Sequence, residues 1–251
     1  KKAIRGLFLP EEGDKWGSFD YSSQEPRLLV HFASSLPDSM KHSVVDTIVD
    51  EYNNGDVDLH QMAADLAGIS RKEAKVVNLG IMYGMGVGKL SNQLDISKDE
   101  AKDILELYND KVPFVKQIAT IASQRATTEG QIRTILGRRC RFHLWEPRTF
   151  GYNKAMPLAE AEKEYGGLGM LRRAFTYKAL NKLIQGSAAD QTKKAMVDCY
   201  AENFTPMLTV HDELCFSVQN EEQAKRITEI METGLPLNVP TRVDCEMGDN
   251  W

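Results

Sequence analysis

The sequence predicts an α+β fold, in which a small antiparallel sheet carries a largely helical insertion. Short apolar segments near both ends, Trp16–Tyr21 and Leu214–Val218, are bounded by turn-forming residues, which is typical of strands. Between them, residues 38–125 follow a helical pattern, and both Ser70 with Glu73 and Ser97 with Glu100 have the spacing of a capping box. Strands at the ends and helices between them favour a sheet interrupted by a helical unit.

In the first half, residues 1–21 predict short strands, because the turn cluster 10–14 separates their apolar segments. Ser22 and Ser23 offer an N-cap and Pro26 suits a first helical turn, so a helix should follow. A later helix begins at Arg71 and ends in a glycine-rich turn.

The second half alternates between strands and helices. Its predicted elements are a hairpin over 131–144 that turns at Gly137, an irregular insertion over 145–169, a long helix over about 170–201, a tight hairpin around 211–213, a helix over 221–233 and a strand over 239–245.

Composition excludes several classes of protein. Apolar residues make up 42% of the 251 residues, which is typical of a globular chain. No apolar run approaches the ~20 residues of a membrane span. The four cysteines have no zinc-ribbon spacing and predict reduced thiols in the cytoplasm. Lys and Arg number 31 against 36 Asp and Glu, and the net charge of −5 taken alone argues against nucleic-acid binding.

Two acidic residues end apolar segments far apart in the sequence. Asp20 follows Ser18-Phe19, and Asp212 lies at the tip of the second hairpin. A carboxylate at the end of a buried strand is costly unless it is paired or binds a cation. Two such carboxylates are suited to holding two Mg²⁺ ions about 4 Å apart for phosphoryl transfer. The alternative is two surface acids that never meet.

A stripe of four residues runs along the predicted helix from residue 71. Arg71, Lys75, Leu79 and Tyr83 recur every four residues and share one side of the helix. Two cations followed by an apolar and an aromatic side chain suit the phosphates, sugar and base of a nucleoside triphosphate. The alternative is an ordinary amphipathic helix with a solvated basic edge.

Two other segments carry groups suited to nucleic acid. Asn181 and Gln185 lie four residues apart, beside the small residues 186–189, and amide donors suit the acceptors that every base pair presents in the minor groove. The basic cluster 138–141 suits a phosphate backbone. The alternatives are a close helix contact and a solvated hairpin edge.

Together these segments resemble family A DNA polymerases, the bacterial DNA polymerase I family with its phage relatives. The order of the motifs makes the resemblance specific, and it runs nearly from end to end. The matching segments are Asp20-Tyr21-Ser22-Ser23-Gln24-Glu25-Pro26-Arg27, Arg71-x-x-x-Lys75-x-x-Asn78-Leu79-Gly80-x-x-Tyr83-Gly84-Met85, Gly137-Arg138-Arg139, Asn181 to Asp190, Val210-His211-Asp212-Glu213-Leu214 and the closing Asp244-x-x-Met247-Gly248-x-Asn250-Trp251.

The resemblance implies a role for each candidate residue. Two Mg²⁺ ions, for which Mn²⁺ is a possible substitute, would be held by Asp20, Asp212 and the Tyr21 carbonyl, with Glu213 nearby. The catalytic residues would be Asp20, Asp212 and Lys75, the last as proton donor to pyrophosphate. The nucleotide would meet Glu25 as steric gate, His60, Arg71, Lys75, Leu79 and Tyr83. DNA would meet Arg138, Arg139, Asn181, Gln185 and His211.

The resemblance also implies a domain organisation. Residues 1–37 would begin the palm, 38–130 would form the helical fingers, and 131–251 would complete the palm with its catalytic hairpin. A thumb and an exonuclease domain are absent from these residues, so we expect a piece of a larger polymerase whose partners are primer-template DNA, dNTP and its missing N-terminal portion. The length of 145–169, together with Leu79 where the family usually has Phe or Tyr, indicates a phage-type member.

Three other functions remain open at this point. A single-subunit RNA polymerase shares the general layout, but it tends to have small residues where this chain has Glu25 and Glu213. A metal-dependent nuclease would use the same two aspartates and leave Arg71 and Lys75 unexplained. A non-enzymatic alternative is an inactive nucleic-acid-binding fragment.

Overall fold

The computed structural model describes residues 2–55, 57–82, 85–149, 151 and 154–251. In this part of the chain the helices are α1 (Lys2–Arg5), α2 (Gln24–Ser34), α3 (Val44–Asn54), α4 (Leu59–Ala67), α5 (Arg71–Met82), α6 (Val87–Leu94), α7 (Lys98–Lys111), α8 (Pro113–Thr128), α9 (Leu158–Tyr165), α10 (Ala179–Ala201) and α11 (Glu221–Thr233). The strands are β1 (Lys15–Tyr21), β2 (Gln131–Arg133), β3 (Arg139–Arg141), β4 (Leu144–Pro147), β5 (Met156–Pro157), β6 (Leu171–Arg173), β7 (Leu208–Val210), β8 (Glu213–Val218) and β9 (Val243–Gly248). The predicted α+β class is confirmed.

The chain divides into two compact units. The first unit comprises residues 1–35, 46–56 and 187–251, and the second comprises 36–45 and 57–186. The first unit contains the largest sheet of the described residues, and the second contains helices α4 to α9 with two smaller sheets.

The sheet of the first unit has the strand order β7-β8-β1-β9, and all its neighbouring strands are antiparallel. Buried and exposed residues alternate along β1, because successive side chains of a strand point to opposite faces of the sheet. Phe19 and Tyr21 of β1 are buried at 0% and 3% exposure, whereas Asp20 between them is exposed. One face therefore packs in the core and the other presents polar side chains.

The buried face packs against α10 and α11. Phe19 and Phe216 meet edge to face, with ring centroids 5.5 Å apart, and Ile227 of α11 belongs to the same cluster. The Tyr21 hydroxyl donates to the Met231 carbonyl at 3.1 Å, which satisfies a buried polar atom. These contacts fix the end of β1, where Asp20 lies.

The turn after β1 is held by a buried arginine. The Arg27 guanidinium donates from Nε to the Ser22 carbonyl at 2.9 Å and from Nη1 to the Pro240 carbonyl at 2.6 Å. It also lies 5.1 Å from the centroid of the Tyr52 ring. Ser23 has a positive φ of 53°, so the chain reverses sharply before α2 begins.

Two helices of the second unit, α5 and α7, begin at the predicted caps. Ser70 and Glu73 exchange hydrogen bonds before α5, and Ser97 and Glu100 form a complete capping box before α7. The hairpin β2–β3 pairs Gln131 with Arg141, within the range predicted for it.

Three expectations on local structure were wrong. No strand precedes β1 in the described residues 2–14, where residues 2–5 form a helical turn, and the long helix begins at Ala179 because Leu171–Arg173 is strand β6. The segment 145–169 contains β5, α9 and most of β4, although we expected it to be irregular. Strand β4 pairs with both β5 and β6, and these long-range pairings leave no periodic signal in so short a segment.

Among the described residues, no helix has the length and apolar character that crossing a membrane requires.

Candidate functional site

The structure brings the two predicted metal aspartates together. Asp20 is next to last in β1, and Asp212 lies in the two-residue turn between β7 and β8. His211 in the same turn has a φ of 59°, a left-handed conformation typical of tight hairpins. The Tyr21 N–H donates to the Asp212 carbonyl oxygen at 3.4 Å. The negative charge of Asp212 also acts on the Asp20 carboxyl, so the two acids lie near each other at this end of the sheet.

Asp20 belongs to a row of acids across three strands. It lies opposite Glu213 on β8 and opposite Asp244 on β9, and directly opposed residues of an antiparallel sheet share one face. Partial desolvation, together with the negative charges of Asp212, Glu213, Asp244 and Glu246, raises the pKa of Asp20 from 3.8 to about 6. This face of the sheet therefore carries a concentrated negative charge.

The donor set of this face fits a hard cation. The four side chains that act electrostatically on the Asp20 carboxyl are all acidic. Carboxylate and carbonyl oxygens are the ligands that Mg²⁺ prefers, and it completes its shell with water and phosphate. In the part of the chain described here, no group of three or more His, Cys, Asp and Glu side chains is arranged to hold a metal ion. Asp20, Asp212 and the Tyr21 carbonyl suit an ion that takes few protein ligands.

We expect Asp20→Asn to raise the thermal stability of the metal-free chain above about pH 6. The folded chain raises the pKa of Asp20 from 3.8 to about 6, so ionisation costs stability as pH rises through that interval. Removing the charge removes this cost. Thermal unfolding in EDTA should show a higher midpoint for the variant at pH 7.5 and equal midpoints below pH 4. Equal midpoints at both pH values would contradict the expectation.

The neighbouring acid Glu213 is hydrogen-bonded within the same unit. The Trp251 indole Nε1 donates to Glu213 Oε1 at 2.9 Å, and the Cys215 thiol donates to the same oxygen at 3.5 Å. A surface cavity of about 450 Å³ opens here, and its lining includes Trp16, Asp20, Glu213 and Trp251. Glu213 therefore lies beside the proposed metal ligands in a fixed orientation.

Helix α5 of the second unit presents three of the four predicted stripe residues. Arg71 pairs with Asp58 at 2.6 Å, Lys75 is exposed, and Leu79 is half-buried. Lys75 and Leu79 line a cavity of about 580 Å³, which fits the predicted order of a cation followed by an apolar side chain. Tyr83 lies outside the described residues.

The two remaining predicted nucleotide contacts differ in burial. His60 in α4 is 9% exposed, and its Nδ1 lies 2.7 Å from the Asn78 amide nitrogen of α5. Burial lowers the pKa of His60, and the charges of Lys75 and Arg71 act in the same direction, so the neutral ring is favoured. Glu25 is half-buried in the first turn of α2.

The predicted DNA contacts lie on two elements of the second unit and one turn of the first. Asn181 and Gln185 lie on α10, the first half-buried and the second exposed. The Arg138 guanidinium donates to the Gly186 carbonyl at 2.7 Å, so it holds the hairpin to α10. Arg139 on β3 and His211 in the β7–β8 turn are exposed.

A family model described as DNA polymerase family A matches residues 1–251. The chain belongs to DNA polymerase family A.

The family relatives come from phages and bacteria. A DNA-directed DNA polymerase of Pseudomonas phage M6 is 36% identical over 285 residues, which cover 98% of this chain and 40% of the phage protein. DNA polymerase I of Bacillus caldotenax is 32% identical over 271 residues, which cover all of this chain and 27% of the relative. The POL domain of Pol1 from M. smegmatis, in complex with DNA primer-template and dNTP, superimposes with a TM-score of 0.75 at 28% identity, over 99% of this chain and 42% of that one. The chain spans less than half the length of these relatives.

Sequence reasoning assigned no site role to three residues of this family A chain, although two of them, Asp244 and Trp251, belong to the closing motif. Asp58 precedes α4 and accepts from the His60 and Gln61 backbone N–H groups, so an N-cap signal was present before that helix. Asp244 faces Asp20 only through the strand register, and no local pattern predicts that pairing. Trp251 reaches Glu213 by a tertiary contact that leaves no signal in the sequence.

Proposed function

We propose that this chain carries the nucleotidyl-transfer centre of a DNA polymerase, which adds dNTPs to a primer 3′-OH under the direction of a template. The observation that carries the proposal is that Asp20 lies on an acidic sheet face of a family A chain where it feels the charge of Asp212, while its neighbour Tyr21 donates to the Asp212 carbonyl. Opposed carboxylates of this kind are suited to two-metal phosphoryl transfer.

In this proposal, Asp20, Asp212 and the Tyr21 carbonyl hold two Mg²⁺ ions. When bound, such ions activate the attacking oxygen and stabilise charge on the leaving pyrophosphate. The residues of the chain orient the ions: the Tyr21 backbone is fixed by its bond to the Asp212 carbonyl, and its side chain is anchored in the core. Mn²⁺ has compatible ligand preferences and is an expected substitute.

Helix α5 supplies the nucleotide contacts in this proposal. Lys75 and Arg71 bind the triphosphate, and Lys75 gives a proton to the leaving pyrophosphate. Leu79 packs on the sugar, and Tyr83 stands beside the base. Glu25 excludes a ribose 2′-OH, and His60 contributes a further contact to phosphate.

The partners follow from the relatives. The M. smegmatis domain forms a complex with DNA primer-template and dNTP, and we assign the same partners to this chain. Arg138, Arg139, Asn181, Gln185 and His211 are the proposed DNA contacts. The relatives are more than twice as long, so we propose that an N-terminal portion with a thumb works with these residues in the cytoplasm, which is the host cytoplasm for a phage-encoded chain.

Primer extension tests this function. The polymerase that carries this chain is incubated with a labelled primed template, Mg²⁺ and either dNTPs or rNTPs. We expect extension with dNTPs, little with rNTPs, and none in EDTA. Equal use of rNTPs would indicate an RNA polymerase, and primer shortening without dNTP that Asp212→Asn abolishes would indicate a nuclease at this site. Either result would overturn the proposal.

We expect Leu79→Phe to change how the polymerase treats the deoxyribose. An aromatic ring offers more apolar area to the sugar than leucine does, and differences of this size in an apolar pocket are worth on the order of 10-fold. Incorporation of dNTP should rise several-fold, and the ratio of dNTP to ddNTP incorporation should shift. Steady-state kinetics with both nucleotides measure this, with Val76→Leu in the same cavity as control. An unchanged ratio would contradict the expectation.

A further inference from the structure

The Trp251 side chain is held on three sides within the first unit. The Trp251 backbone N–H donates to the Phe8 carbonyl at 3.2 Å. The Trp251 and Phe8 rings meet edge to face, with centroids 5.4 Å apart. The Arg5 guanidinium lies 4.3 Å from the centre of the Trp251 ring, within the range of a cation–π contact. The indole N–H is therefore a donor with a fixed position.

That donor is aimed at an acid of the proposed metal site. Trp251 Nε1 lies 2.9 Å from Glu213 Oε1, the distance of a good hydrogen bond to a carboxylate. The Cys215 thiol donates to the same oxygen at 3.5 Å, so Oε2 takes part in neither bond. Glu213 stands directly opposite Asp20 in the sheet register.

Without this restraint, Glu213 would have the freedom of a long side chain beside like charges. The charges of Asp20 and Glu213 repel each other, and an unrestrained glutamate has three rotatable torsions with which to respond. An indole N–H fixes one carboxylate oxygen without adding a positive charge that would compete with a metal ion.

We propose that Trp251 is a positioning residue, which holds the Glu213 carboxylate beside the metal-binding aspartates and so sets the affinity of this face for divalent metal. The proposal rests on the function proposed above and adds to it a residue that acts through Glu213. Groups that orient the surroundings of a metal ion typically change affinity or activity by about 10–100-fold when they are lost.

Trp251→Phe tests this, because phenylalanine keeps a smaller aromatic ring against Phe8 and Arg5 and removes the N–H donor. We expect the Mg²⁺ concentration for half-maximal primer extension to rise about 10-fold, while the KM for dNTP changes less than about 2-fold. Binding of Mn²⁺ to the DNA-free protein, followed by electron paramagnetic resonance, should weaken by a similar factor. Trp251→His, which restores a ring N–H donor, should recover part of the loss.

The matched control is Trp16→Phe. Trp16 lines the same cavity, but its indole N–H donates to the Ser18 hydroxyl at 3.2 Å instead of to Glu213. Its metal dependence should stay within about 2-fold of the parent chain. Thermal unfolding of each variant identifies any general loss of structure.

A second background shows whether Trp251 acts through Glu213. In a Glu213→Ala chain, Trp251→Phe should have no further effect on Mn²⁺ binding, because the acceptor is gone. A full effect in that background, or normal metal dependence of Trp251→Phe alone, would overturn the inference.

Asp212→Asn distinguishes failure of the positioning inference from failure of the proposed function. If it abolishes extension while Trp251→Phe has no effect, only the positioning inference fails. If it leaves extension intact, the two-metal function fails and the positioning inference fails with it.

Discussion

Asp212→Asn should lower primer extension by at least about 10³-fold. The substitution keeps the shape of the side chain and removes one of the two carboxylates proposed to hold metal. Metal ions contribute several kcal/mol of charge stabilisation to such a transition state, and about 4 kcal/mol corresponds to a factor of 10³. The backbone contact from the Tyr21 N–H to the Asp212 carbonyl does not involve the side chain, so the turn should keep its structure.

Asp244→Asn is the matched control for that experiment. Asp244 stands opposite Asp20 on β9, acts electrostatically on the same carboxyl, and is exposed. The substitution removes the same charge from the same face without touching a proposed ligand. Single-turnover extension should stay within about 3-fold of the parent chain, and primer-template binding should persist in both variants. More than a tenth of parental activity in Asp212→Asn would contradict two-metal catalysis at this site.

The sequence alone predicted those elements whose structure depends on interactions between residues close together in the chain. The caps at Ser70 and Ser97 predicted the starts of α5 and α7, because a serine followed three residues later by glutamate satisfies backbone groups within one turn. The tight turn at 211–212 was likewise predictable from the apolar segments that flank it. Such features depend on neighbours a few residues apart.

Long-range pairing decided the features that sequence reasoning missed. Strand β4 is defined by its hydrogen bonds to β5 and β6, and the small core that these strands share with α9 packs around Leu171. The apolar residues of this segment are too few and too widely spaced to show a period, so we expected irregular structure.

The candidate site likewise combines residues that local motifs predict with residues that only long-range strand pairing brings together. Motif order identified Asp20 and Asp212, but only the register of β1 between β8 and β9 shows that Glu213 and Asp244 share a face with Asp20. A net charge of −5 argued against a nucleic-acid function, yet much of the acidity that matters is local to this face. The net charge of the whole chain does not reveal an acidic face of this kind, because it adds the charges of this face to those of basic residues elsewhere.

Lys75 is the cation of the α5 stripe that is available to a triphosphate. Both Nε and Nη2 of Arg71 bind Asp58 Oδ2, at 2.7 and 2.6 Å, and Asp58 also caps α4. Burial opposes the ionisation of Asp58, but the Arg71 and backbone hydrogen bonds outweigh it and hold the pKa of Asp58 below its usual value. Arg71 must therefore leave a charged partner to meet phosphate, whereas no carboxylate among the described residues forms a salt bridge with Lys75.

Lys75→Ala should therefore lower kcat/KM for dNTP by about 10²–10³-fold, since the variant loses both a phosphate contact and the proposed proton donor. Lys75→Arg separates the two roles, because arginine keeps the positive charge and does not release its proton. We expect the arginine variant to keep a KM for dNTP within about 3-fold of the parent and to lose most of kcat.

Lys72→Ala is the control for total charge, because Lys72 is also exposed on α5 and lines the same cavity, but it lies off the stripe of Arg71 and Lys75. Its kcat/KM should stay within about 3-fold of the parent in the same pre-steady-state assay. If Lys72→Ala and Lys75→Ala lost activity equally, a diffuse basic surface would account for nucleotide binding, and the specific role of Lys75 would be wrong. A large difference between them would show that position on the helix, and not the number of lysines, determines how the triphosphate is bound.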